Sequence, residues 1–180
     1  MSSGSEYYDK RGRVVLLWRL RAAELREAAR LVWQGGMIQL RAEDGTSHQH
    51  QELYRPTQLL MGLCLEVTLK GLLVERNPTL LDGGKLASEL KTHSLETLFQ
   101  EANIPLEDTE DQLNFIRKLS DAVEWVAKYP VPLNAPQLRS PKHRSKQTMI
   151  RNDKDFARFE ALWQRIDTEF VGEPHQSGRR

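Results

Sequence analysis

The chain has a single cysteine, Cys64, among its 180 residues, and it lies in the most apolar stretch. A lone thiol cannot close an internal disulfide and in such surroundings behaves as a small hydrophobe, so a reducing compartment and a cytoplasmic location are expected. An excess of charge is also missing: 26 Lys and Arg oppose 25 Asp and Glu, for a formal net charge of +1. That balance excludes a strongly basic nucleic-acid binder and a disordered acidic chain, so any nucleic-acid site must be a local patch. The opening MSSGSEYYDKRGR has no apolar region before a small-residue cleavage site and does not read as a secretory signal. The nearest thing to a membrane span, Leu59 to Val74, is shorter than the roughly 20 residues a bilayer needs and contains Glu66 and Lys70. It reads as a buried core helix, and no membrane association is expected. A glycine-rich phosphate loop, a nucleophile elbow, a Cys–Cys spacing and a helical His-x-x-x-His pair are all absent. His48 and His50, close to Glu43 and Asp44, are too few to define a metal site, so neither metal nor cofactor is expected.

What the chain does have is helical periodicity. At this length one domain can bury about 70% of its unfolded surface, so one core is expected, spanning residues 13–171 between a flexible N-terminus (1–12) and a flexible tail (172–180). Val14, Leu17, Trp18, Leu25, Ala28, Ala29 and Val32 recur at steps of three and four, predicting a first helix from Arg13 to Gln34, ended by Gly35 and Gly36. The polar segment 37–53, with Asp44-Gly45 at its turn, reads as an inserted excursion or short hairpin. A second helix is predicted from Pro56 to Glu75, with proline in its first turn and Asn77-Pro78 beyond its end. Its apolar residues go all the way round, which makes it the spine of the bundle. A short helix from Thr92–Ser94 should carry Leu95 and Leu98 inward as far as Pro105, and a longer one should run from Glu107 to Lys128. A proline-bearing loop, 130–151, precedes a last helix that starts near Asn152 or Asp153 and carries Phe156, Phe159, Trp163, Ile166 and Phe170 on one face. The expected fold is all-α: an up-and-down bundle of about five helices.

Three features could carry chemistry. Glu66 and Lys70 are the only charged residues between Thr57 and Val74, and their four-residue spacing lets them pair on one helix face. The pair either fixes the register of the bundle or lines a polar pocket between helices. His93, at the start of a helix, is placed either to order its loop, against Glu66 for example, or to meet a phosphate. From Trp125 to Asn152 there is no acidic residue, while Lys128, Arg139, Lys142, Arg144, Lys146 and Arg151 occur with His143 among them. Such a segment attracts polyanions, although it has few aromatics to stack bases.

The run Gln58 to Leu73 with its Glu66 and Lys70, then Thr92-His93-Ser94-Leu95, then Ala127-Lys128-Tyr129-Pro130 before a final helix, resembles the HEPN superfamily in order and spacing. The resemblance spans roughly Arg55 to Phe170 and implies a small helical bundle, commonly dimeric, in toxin–antitoxin, antiphage-defence or RNA-processing systems. It places Lys128 where the family usually has arginine and Ser94 where it has aspartate. The implied activity is nucleotide or RNA binding, with Glu66, Lys70, His93, Lys128 and Tyr129 holding the ligand and Lys142, Lys146 and Arg151 contacting nucleic acid. A metal-independent ribonuclease is the enzymatic alternative, with His143 as base and Arg139 or Arg144 stabilising the phosphorane. The family's R-x4-6-H spacing is not met by Arg139 and His143; Arg41 and His48 meet it, but in another segment. The third reading is a non-catalytic interaction module that dimerises or docks a partner through Trp18, Trp33 and Trp163. A cognate antitoxin or a nucleotidyltransferase is the partner that the resemblance implies.

Overall fold

The computed structural model describes residues 4–35, 37–41, 47–51, 53–107, 109–126 and 153–170. Six α-helices occur among them: α1 (Gly4–Gly12), α2 (Val15–Gly35), α3 (Tyr54–Arg76), α4 (Leu95–Glu101), α5 (Glu110–Asp121) and α6 (Asp153–Asp167). The described strands form two small antiparallel hairpins, β1 (Met37–Arg41) with β2 (Ser47–Gln51), and β3 (Leu81–Asp82) with β4 (Lys85–Leu86). The protein is an all-α helical bundle, and the polar excursion after α2 is a hairpin. Expected boundaries hold to within a few residues except after α5, where a π-helical turn, Ala122–Val126, replaces the α-helix predicted to reach Lys128.

Helix α3 is the spine because nothing on most of its circumference tolerates water. Met61, Cys64, Leu65, Leu69 and Leu72 are fully buried and point in several directions around the helix. Its 23 residues are long and apolar enough to cross a bilayer, so length does not exclude a span, but 78% of its most apolar window is buried against the rest of the chain. Thr68 inside it is satisfied locally, its Oγ1 donating to the Cys64 carbonyl at 2.7 Å. The Cys64 thiol lies 3.3 Å from the Ala22 carbonyl, and burial pushes its pKa far up, so it is an inert hydrophobe.

The inward stripe of α2 keeps Trp18, Leu25 and Ala29 of the expected one and differs elsewhere. Val14 and Leu17 are exposed, while Ala22 and Ala29 are buried and Val15, Trp18, Leu25 and Trp33 pack against the core. Alanines weigh little in a hydrophobicity pattern, yet here they set the rotation of α2 by letting it approach α3 closely. Arg19 is largely buried: its guanidinium pairs with Asp167 at 3.2 Å and sits over the Phe170 ring. Arg26 likewise pairs with Glu160 and lies 4.0 Å from the centre of the Trp163 ring. Two Arg–carboxylate pairs, with Trp33 stacked on Phe156 at 5.5 Å, therefore hold α6 against α2. The three tryptophans considered as partner contacts are all half-buried in the fold's own packing.

Residues Gly4–Gly12, expected to be flexible, form α1 and dock on the second hairpin. Asp9 Oδ1 accepts the Gly84 amide at 2.9 Å, Arg13 donates to the Leu81 carbonyl at 2.6 Å, and the Trp18 indole donates to the Gly12 carbonyl at 2.7 Å. Most of these bonds use backbone groups, which is why no apolar pattern announced the helix. The hairpin turn needs positive φ at two successive positions, met by Gly83 (60°) and Gly84 (73°).

Two glycines bring neighbouring helices unusually close to α3. A Cβ on Gly62 would stand 2.6 Å from a Val123 methyl and 2.8 Å from the Leu119 carbonyl oxygen; one on Gly71 would stand 2.6 Å from Trp18 Cβ. We expect Gly62→Ala to destabilise the protein by about 1–3 kcal/mol even though alanine is the better helix former. Gly35→Ala, with nothing near its Cβ, should leave the melting temperature unchanged or raised. Urea denaturation of both variants checks this, and a Gly62→Ala protein as stable as the parent would contradict the close approach.

Candidate functional site

The site begins with two charges carried on α3. Lys70 Nζ donates to Glu66 Oε1 at 2.6 Å, and the two residues are only 8% and 5% exposed. Removing an ion pair from water costs several kcal/mol per charge, so such a pair persists only where further polar groups satisfy the atoms left over.

His93 supplies the missing partner. It lies between a 3-10 helix (Ser88–Lys91) and α4, held from both sides by the buried Leu90 and Leu95. Thr92 Oγ1 accepts the Ser94 amide at 3.1 Å, and Ser94 Oγ caps α4 by accepting the Thr97 amide at 3.3 Å. Ser120 accepts the Leu95 amide at 2.9 Å and donates to the Ile116 carbonyl at 3.1 Å. It thereby ties the start of α4 to α5. Presented in this way, the imidazole brings Nδ1 to 3.2 Å and 3.1 Å from the two Glu66 oxygens. One carboxylate thus holds an ammonium on one oxygen and an imidazole across both.

The donor inventory fixes the chemistry. An ionised carboxylate can only accept, so the proton on a neutral His93 sits on Nδ1 and Nε2 keeps its lone pair. The His93 side chain is 49% exposed, in contrast to its two partners. Lys70 neutralises Glu66, so the group is uncharged with neutral histidine and carries one positive charge with protonated histidine. It can therefore accept a hydrogen bond at the surface in one state and bind an anion in the other.

Glu66, Lys70 and His93 are the sequence-predicted site residues that the described fold brings together. Lys128, Tyr129, Arg139, Lys142, His143, Arg144, Lys146 and Arg151 lie outside the described residues. In the first hairpin the register sets His48 opposite Leu40 and Arg41 opposite Ser47. Among the described residues no group of three or more His, Cys, Asp or Glu could hold a metal ion. Neither a family model, nor a curated protein, nor a solved structure matches this chain.

Glu66→Ala leaves the Lys70 ammonium buried with no described acceptor, and we expect a loss of about 3–5 kcal/mol, whereas the double substitution Glu66→Leu/Lys70→Met should recover most of it. Chemical denaturation of the single and double variants measures the coupling. Additive effects would mean that the two groups do not interact.

Proposed function

We propose that this chain is a HEPN-like, cytoplasmic helical protein that binds a nucleotide or RNA through a phosphate-recognising site built on Glu66, Lys70 and His93, with Lys128, Tyr129 and the basic segment completing it. One observation carries the reading: a buried Lys70–Glu66 pair holds the imidazole of His93 by Nδ1 and leaves that imidazole half exposed. His93 completes the hydrogen bonding of Glu66 and, with its side chain 49% exposed, is the member of the group that a ligand from solution can reach. In this reading His93 meets the phosphate as imidazolium, donating from Nε2 while its Nδ1–H stays on Glu66, and Lys70 acts through Glu66 as a positioning residue. Lys142, Lys146 and Arg151 add salt-sensitive contacts to a polynucleotide.

Ribonuclease activity stays the second reading, because a histidine whose tautomer is set by a carboxylate is also the arrangement a general base requires. The sequence assigns that role to His143 with Arg139 or Arg144, whereas the tautomer argument applies to His93.

Fluorescence polarisation with a fluorescein-labelled oligoribonucleotide and with a fluorescent ATP analogue tests the proposal. His93→Ala and Lys128→Ala should each weaken binding by about tenfold, or about 1.4 kcal/mol, while circular dichroism stays helical. Oligonucleotide affinity should fall further from about 50 to 200 mM salt. Absent binding, or dissociation constants unchanged in both variants, would refute the site and leave the pair as a packing device.

A further inference from the structure

A cleft of about 660 Å³ lies between α1 and α2, away from the Glu66–Lys70–His93 group, which contributes no residue to it. Its size falls within the range of small-molecule sites. Helix α1 lines it through Tyr7, Tyr8 and Arg11, α2 through Leu17 and Leu20, and α3 through Val67. Four of these are large apolar or aromatic side chains that remain exposed: Tyr7 58%, Tyr8 40%, Leu17 39% and Leu20 37%. A concentration of this kind around a concavity marks a binding surface rather than scattered surface residues.

The charge in the cleft selects the occupant. Three charged residues line it, Arg11, Arg21 and Glu24. Arg21 and Glu24 satisfy each other at 2.8 Å. Arg11 has only a neutral described partner, the Tyr7 hydroxyl, which accepts from its guanidinium at 3.0 Å. The lining thus carries one surplus positive charge on a planar, multi-donor group suited to a carboxylate, set beside an apolar wall. We infer that the cleft binds a small amphiphilic monoanion, an aryl or alkyl carboxylate, with its apolar body against Leu17, Leu20 and Tyr8 and its carboxylate on Arg11. This site is independent of the proposed phosphate site and shares no residue with it.

Calorimetric titration of the full chain with 1-naphthoate and its neutral counterpart 1-naphthamide tests the inference. The parent protein should bind naphthoate at least about tenfold more tightly than naphthamide, and decanoate should compete with it. Arg11→Gln should abolish the preference for the anion while naphthamide binding persists, and Leu17→Glu should abolish both, with helicity retained by circular dichroism. Equal affinity for the two probes, no binding at millimolar concentration, or an Arg11→Gln variant that still prefers naphthoate would each overturn it. Sedimentation decides the competing occupant: a parent dimer that fails to bind naphthoate and becomes monomeric with Leu17→Glu would assign the cleft to a second copy of the chain.

Discussion

The Glu66 carboxylate is the constraint around which the centre of the molecule is arranged. It sits on a helix buried on nearly every side, where an unmatched charge would cost a large share of a typical domain's stability. Two oxygens therefore need partners, and the fold supplies them from different distances in sequence. Lys70 comes from one turn along the same helix and His93 from a loop 27 residues away. The second partner requires the 3-10 helix, the α4 cap and the Ser120 tie to be in place, so a polar requirement inside α3 fixes how α4 and α5 are mounted on it.

Packing around α3 follows the same logic of local concession. A helix surrounded by neighbours must let some of them close, and Gly62 and Gly71 are where α5 and α2 come nearest. Ala22 and Ala29 do the same from the α2 side. Small residues at these crossings leave the large side chains to fill the spaces between axes, where Phe99, Phe159, Leu65 and Leu69 are fully buried. The outer helix α6 is secured differently, by Arg19 with Asp167 and Arg26 with Glu160, each guanidinium also covering an aromatic ring. Stacked and half-buried, these pairs lose less to solvent screening than exposed ones do.

Much of this was legible in the sequence, for physical reasons that differ from element to element. Helix α3 stood out because two charges four apart in a long apolar run can neutralise each other only if the run is helical, and His93 was readable as a partner of Glu66 because it opens the next helix. The rotation of α2 was readable in part: Trp18, Leu25 and Ala29 stood in the expected stripe, whereas Ala22 carries little hydrophobic signal and Val14 and Leu17 fall on the exposed side. Helix α1 was invisible because hydrogen bonds to the Leu81 and Gly12 carbonyls and from the Gly84 amide hold it, and backbone groups leave no trace in side-chain pattern. The cleft beside α1 was hidden for that reason too. The burial of Arg19 was equally hidden, because the sequence shows its charge and not the Asp167 that meets it 148 residues later.

A buried ion pair is in general a weak source of stability. Replacing a buried ion pair by apolar side chains of similar volume is commonly neutral or stabilising, so a fold under no other demand has no need of Glu66 and Lys70. Fixing helix register would answer that objection for the pair, since a single buried polar contact can specify one arrangement among several. His93 answers a further need, since its Nδ1 completes the hydrogen bonding of the Glu66 carboxylate while the ring stays half in solvent. The three members therefore differ in surroundings: Glu66 and Lys70 are buried, and the imidazole held by Glu66 is half exposed.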